Sequence, residues 1–397
     1  MNMNIGDLVG EIDERRPSND AIVFSVSEKY GIIPQTQLFK KSIATDDRSK
    51  YKKIRYGDII YNPFLLWNRA VGVCFDERGG CVSPSYIVLR PRAANIERFL
   101  HYFFRSDIFT ATVDAIATGS VTRRRTMPLS AILKLVFNLP DPVSQKAANS
   151  ILVALDDKIE LNRRMNETLE AIAQALWQKM FVEDADPNWR KVKLRTLCEK
   201  ITKGTTPTTL KKSFVDTGIN FVKAESIDNN GNFIYEKFAH IDEETNKLLS
   251  RSILRENDIL YTIAGTIGRT AVVTREILPA NTNQAIAIIR LNNSDLFISY
   301  IRLLMKASSI TTSLGVKVVH AVQANLSLSV ISETEVLIPE EQNLREFNEK
   351  SNPVFIKIRQ NCIQIRTLST LRDTLLPKLI SGELRIKDAE RFVKEKI

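Results

Sequence analysis

An α/β (α+β) chain, built as a globular unit followed by a long helix and then the same plan again, is the architecture this sequence predicts. Three observations carry it. "GDIIY" at 57–61 returns as "NDILY" at 257–261. Pro140 and Pro339, each closing an apolar strand ("LVFNLP", "EVLIP"), lie 199 residues apart. That offset continues through Lys158/Lys357, Asn162/Asn361, Leu169/Leu368, Leu176/Leu375 and Lys179/Lys378. A period this long means a two-fold duplication, not a solenoid.

The elements follow in order within each half. After the "GDIIY" and "NDILY" strands come "AVGVCF" and "TAVVT", then "SYIVLRP" and "QAIAIIRL". These short runs, rich in β-branched residues, read as strands. An amphipathic helix comes next, "IERFLHYFFRS" from 96 and "LFISYIRLLMKAS" from 296. The long helix after the first half, roughly 144–182, carries Ala148, Leu152, Leu155, Ile159, Asn162, Asn166, Leu169, Ala173, Leu176 and Met180 in alternating steps of four and three. This is coiled-coil spacing with two polar interruptions. The second helix repeats it with Val354, Ile358, Asn361, Ile365, Leu368, Leu375 and Leu379, broken by Arg372. Pro353 is expected to start or kink this helix, Pro377 to bend its last turn, and Gly382 to cap it. A narrow apolar stripe suits one partner helix, so the two are expected to pair antiparallel, with the globular units related by a pseudo-two-fold axis.

Composition narrows the function. The chain has 397 residues, 44% hydrophobic and 26% charged, which is ordinary for two or three soluble domains. No apolar run approaches the roughly 20 residues of a membrane span, and the N-terminus shows no apolar signal core, so a cytoplasmic location without membrane contact is expected. The four cysteines form no CxxC pair and the three histidines are far apart, which argues against a metal site. Net charge is +10, unevenly spread. Residues 115–140, with Arg123, Arg124, Arg125 and Lys134, contain no acid, nor do residues 296–332, with Arg302, Lys306, Lys317 and His320. Such windows suggest surfaces that face phosphate.

"YNPF" at 61–64 looks like an adenine-methyltransferase motif. It lacks the second proline, and the second half reads Thr262-Ile263-Ala264 at the corresponding place. No glycines are spaced as G-x-G, so no loop fits S-adenosylmethionine. Asn62-Pro63 reads more plainly as a strand-ending turn. The one Asp/Glu-x-Lys triplet, Asp156-Asp157-Lys158, lies on the first long helix and reads as a solvated charged face. There is no Walker loop, so ATP use is not expected. A chain that binds without catalysing is the favoured reading. A self-contained DNA methyltransferase or nuclease, or a scaffold with two protein-binding modules, are the alternatives.

"LLPKLISGELRI" at 375–386, "DDKIELNRRMNETLEAIAQALWQKMF" at 156–181, "YNPFLLWNRAVGV" with "VSPSY", and "KGTTP" with "NDILYTIAGTIGR" together resemble the specificity subunits of type I restriction–modification systems, along essentially the whole chain. The resemblance implies target-recognition domains at 1–142 and 186–340, a central conserved helix at 143–185, and a C-terminal conserved helix and tail at 341–397. Each domain would read one half of a bipartite, asymmetric sequence in double-stranded DNA, and the helices would act as a ruler. Two methyltransferase (modification) subunits would dock here, joined by restriction/translocase subunits. S-adenosylmethionine, Mg and ATP would belong to those partners, and no cofactor to this chain.

Base readout needs loop side chains that donate and accept hydrogen bonds, while Lys and Arg hold phosphates. The candidates in the first domain are Asn62, Asn68, Arg69, Ser83, Ser85, Ser120, Thr122, Arg123, Arg124 and Arg125, with Trp67 a reader or a packing residue. In the second they are Lys203, Thr205, Thr206, Thr208, Arg269, Asn283, Gln284, Lys317, His320 and Gln323. Trp177 and Phe181, with Leu376 and Ile380 at the counterpart position, are expected on outward helix faces as part of the methyltransferase docking surface.

Overall fold

The computed structural model describes residues 1–18, 20–29, 31–38, 48–116, 126–307 and 325–383. The chain divides into two compact units, Met1–Leu161 with Gln364–Ile397, and Asn162–Ile363. Each unit therefore takes half of each long helix.

In unit 1 the strands are β1 (Asn2–Asn4), β2 (Val9–Ile12), β3 (Val23–Ser27), β4 (Gly31–Pro34), β5 (Lys52–Ile54), β6 (Ile59–Tyr61), β7 (Val71–Val73), β8 (Gly80–Val82), β9 (Ile87–Pro91) and β10 (Val136–Asn138). The longer helices are α1 (Glu97–Phe104), α2 (Asp107–Ile116) and the start of α3 (Pro142–Gln178). One sheet has the order β2-β9-β6-β7 and a second β4-β3-β8-β5, while β1 pairs with β10. The buried faces of β6 and β9 meet Phe99, Phe103, Phe109 and the α3 residues Leu152, Leu155 and Ile159 in one core.

Unit 2 repeats this wiring. Its strands are β11 (Lys191–Lys193), β12 (Cys198–Lys203), β13 (Ile219–Val222), β14 (Ala239–Ile241), β15 (Ile259–Thr262), β16 (Thr270–Val272), β17 (Ala280–Thr282), β18 (Ile286–Leu291) and β19 (Glu335–Leu337). Its longer helices are α4 (Ser294–Lys306), the end of α3 and the start of α5 (Glu341–Ser381). The sheet orders are β12-β18-β15-β16 and β14-β13-β17, and β11 pairs with β19. The match extends to pairing sense: β3 runs parallel to β8, and β13 parallel to β17.

The recurring "GD/ND" has a physical cause. Gly57 and Asn257 both sit at positive φ, +85° and +69°, where these two residue types are tolerated best. The following Asp58 and Asp258 are almost fully buried. Each accepts a backbone N–H at 2.8 Å, from Arg55 and Arg255, and each takes two guanidinium hydrogen bonds, from Arg90 and Arg290. These bonds hold both arginines above their ordinary range. The same buried pair thus pins β6 to β9 and β15 to β18.

The long helices obey their sequence signals with one difference. Asp141 caps α3: its carboxylate accepts from the N–H of Val143 (2.9 Å) and Ser144 (3.1 Å), with Pro142 in the first turn where no N–H is needed. Gly382 ends α5 at φ +74°. Pro353, however, does not start α5, which begins at Glu341 and runs on through both Pro353 and Pro377. The seam is buried on both helices at Ala148, Leu152, Leu155, Ile159, Asn162, Asn166, Ala173, Ile358, Asn361, Leu368, Leu375 and Leu379. The two helices run antiparallel within each unit. In unit 1 Asp156 meets Arg372 at 3.2 Å, and Pro140 lies against Gly382. In unit 2 Asn166 accepts from Asn361 at 2.8 Å, while Phe181 packs edge-on to Phe347.

Candidate nucleic-acid interface

In the first domain Tyr61 pairs with Ile87 on one side and Val71 on the other. The loop 62–70 and the approach to β9, residues 83–86, therefore leave the sheet at the same end. The first loop is closed on itself. Asn62 N–H bonds to Ala70 O (2.9 Å), and the Asn62 side chain accepts from Phe64 N–H (3.0 Å). Trp67 Nε1 donates to Phe64 O (3.0 Å), and Leu66 is buried as the loop's anchor. Asn62-Pro63 is the turn expected of it, and its side chain is committed to that turn. Trp67 packs against the core. Asn68 and Arg69 are exposed. Arg69, at φ +60°, pairs with the exposed Asp107, an ion pair of low net value that a phosphate could replace. Ser83 and Ser85 share a hydroxyl hydrogen bond of 2.9 Å.

In the second domain Lys203 pairs with Ala287, and Thr262 with Ile286. The loops after β12 and β15 and the one before β18 thus meet at one end. Gly204 is required there by space: a Cβ would fall 1.8 Å from Thr282 O. Thr206 donates to Gln284, and Thr205 accepts from Arg251 at 3.1 Å. Asn283 Oδ1 accepts from Ala285 N–H at 3.1 Å. Lys203 and Thr208 are exposed. Arg269 is occupied as a strut, donating to Asn229 Oδ1 (3.0 Å) and Ile227 O (2.7 Å). Arg251 was not a candidate from sequence. It lies 46 residues from Thr205 along the chain, and nothing local marks it.

Ser120, Thr122, Arg123, Arg124, Arg125, Lys317, His320 and Gln323 lie outside the described residues. The acid-free windows are not wholly phosphate-facing. Arg302 and Lys306 turn onto Glu170, and Lys306 also donates to Asn230 O at 2.8 Å.

Other expectations are corrected. Trp177 and Phe181 do not lie on an outward face: they are 3% and 2% exposed, in a core with Tyr300 and Phe347. Ile380 is likewise buried in the first domain's core, and Leu376 packs against it. Asp156 is not a solvated charge. It accepts from Tyr102 Oη (2.8 Å) and pairs with Arg372, so Arg372 fills its break in the seam with an ion pair.

Among the described residues no group of His, Cys, Asp and Glu is arranged to hold a metal ion, and no helix is long and apolar enough to cross a membrane. Residues 187–345 match the family model described as "Type I restriction modification DNA specificity domain". The chain is 24% identical to the type I restriction enzyme HindI specificity subunit of Haemophilus influenzae, over 84% of this chain and 88% of that one. It is 26% identical to the MjaIX specificity subunit of Methanocaldococcus jannaschii, over 75% and 71%. In fold it is similar to the type I restriction–modification S subunit of M. genitalium, with a TM-score of 0.59, 14% identity and 96% of each chain covered. Residues 187–345 thus match a type I restriction–modification DNA specificity domain, and along most of its length the chain is similar in sequence, and in its duplicated fold, to specificity subunits of type I restriction–modification systems.

Proposed function

We propose that this chain reads DNA sequence for a type I restriction–modification complex, each globular domain recognising one half of a bipartite, asymmetric site. The observation that carries the reading is a conserved frame with unlike tips. The two domains share strand order and the buried Asp–Arg pair. Yet the first offers Asn68, Arg69, Ser83 and Ser85 at its sheet end, and the second Lys203, Thr205, Thr206 and Gln284. Hydrogen-bonding side chains in loops anchored by rigid strands suit base-edge readout. Exposed Lys and Arg, with the run Arg123–Arg125, would hold phosphates. The antiparallel helices would set the distance between half-sites, because their rise is stiff at about 1.5 Å per residue.

Chemistry would fall to partners. Two methyltransferase subunits would bring S-adenosylmethionine, and restriction/translocase subunits would bring ATP and Mg, all in the cytoplasm. Co-expression with a neighbouring methyltransferase, followed by mapping methylated adenines across a genome, tests this. A two-part motif with a fixed spacer is expected. Methylation or cleavage by the purified chain alone would overturn it in favour of a self-contained enzyme.

A further inference from the structure

We propose that Phe64 is a wedge that unstacks one base step in the half-site read by the first domain; this rests on the DNA-reading function proposed above. Phe64 is 49% exposed, although Leu66, two residues on, is buried and Trp67 packs against the core. The loop can place apolar side chains inward, and it places this one outward. The turn enforces that. Its N–H is held by the Asn62 side chain and its carbonyl by Trp67 Nε1, both at 3.0 Å. Pro63 fixes the preceding backbone, and its carbonyl accepts from Met127 N–H at 3.0 Å. A ring presented on a backbone tied at every side is pre-organised, so little ordering cost remains when it enters a base stack.

Its setting favours nucleic acid over protein. Among the described residues, the same sheet end carries the polar and basic side chains Asn68, Arg69, Ser83 and Ser85, whereas a protein interface centres on apolar ones. Proteins that deform DNA insert single apolar side chains between base steps from within a polar, basic surface. The second domain holds the corresponding loop by the same bond, Leu326 N–H to Ile263 O at 2.9 Å. Its tip, however, is Ala264 and Gly265, with Gly265 at φ +72° and nothing within 4 Å of a Cβ placed there. The wedge belongs to one domain, so only one half-site should be distorted.

The full chain is used to select duplexes from a random-sequence pool, and 2-aminopurine is then placed at each step of a selected duplex. Wild type should brighten the probe at one step, beside one half-site only. Phe64→Ala should abolish that signal and weaken binding about tenfold, as loss of one base–aromatic stack does; Phe64→Leu should keep part of it. Equal affinity and equal brightening with Phe64→Ala would sink the wedge and leave the DNA-reading function standing. Loss of methyltransferase co-purification with an unchanged DNA signal would reassign Phe64 to a protein contact. If the wild-type chain selects no duplex, the selection is repeated with its co-expressed methyltransferase complex, and a complex that also selects none would remove the wedge and the reading together.

Discussion

Asp58 and Asp258 show how much a single repeated residue can carry. Each is a buried carboxylate whose oxygens are filled by one guanidinium and one backbone N–H. Removing the acid strands a cation, and the two cations are unequally placed. The Arg290 side chain is 11% exposed and has Asp258 as its acid, whereas Arg90 is 30% exposed and also pairs with Glu14 at 3.0 Å. Breaking a buried pair costs about 3–5 kcal/mol. Asp258→Ala should therefore fall in that range, and Asp58→Ala clearly below it, in urea unfolding of the full chain. Equal losses would show that Glu14 does not compensate. The pattern "GD/ND" was legible as a repeat, but its partners at 90 and 290 were not, because an ion pair between strands leaves no spacing rule in the chain.

At the level of elements, the two long helices were the most legible part. Heptad spacing identifies most of the seam positions that are buried, since a seam facing one partner must repeat every three or four residues, while Leu169, Leu176, Met180, Val354 and Ile365 are half-buried. Two of the three asparagines in that seam are bonded to each other, Asn361 donating to Asn166 at 2.8 Å. A lone buried amide is costly, whereas removing both is not. Asn361→Leu and Asn166→Leu should each cost about 1–3 kcal/mol, while the double variant should recover most of that loss in a double-mutant cycle. Additive losses would mean that the two amides act independently. Pro353 does not start its helix, because a proline removes one N–H but does not forbid a helix whose remaining turns are held by packing. Trp177 and Phe181 are buried rather than outward for a related reason. They fall off the seam, and helical periodicity alone cannot tell a second buried face from an exposed one.

For the whole molecule, the duplicated plan makes its two tasks separable. Under the proposed function, base contacts would be local to loops, while the helices would set separation. Exchanging residues 1–140 for the equivalent domain of a relative should change one half of the methylated motif and leave the other half and the spacer intact. If both halves change, the domains read one continuous site. Length, repeat offset, helix seam and charge determined the class of fold and pointed to DNA, because these depend on periodicity and composition, which are properties of the chain itself. The tertiary structure alone decided which side chains are free to act. It turned Arg302, Lys306 and Arg269 onto protein partners, drew Trp177, Phe181 and Ile380 into cores, brought Arg251 to Thr205 and held Phe64 outward. Hydrogen bonding and burial between distant segments have no period, so only the folded chain reveals them.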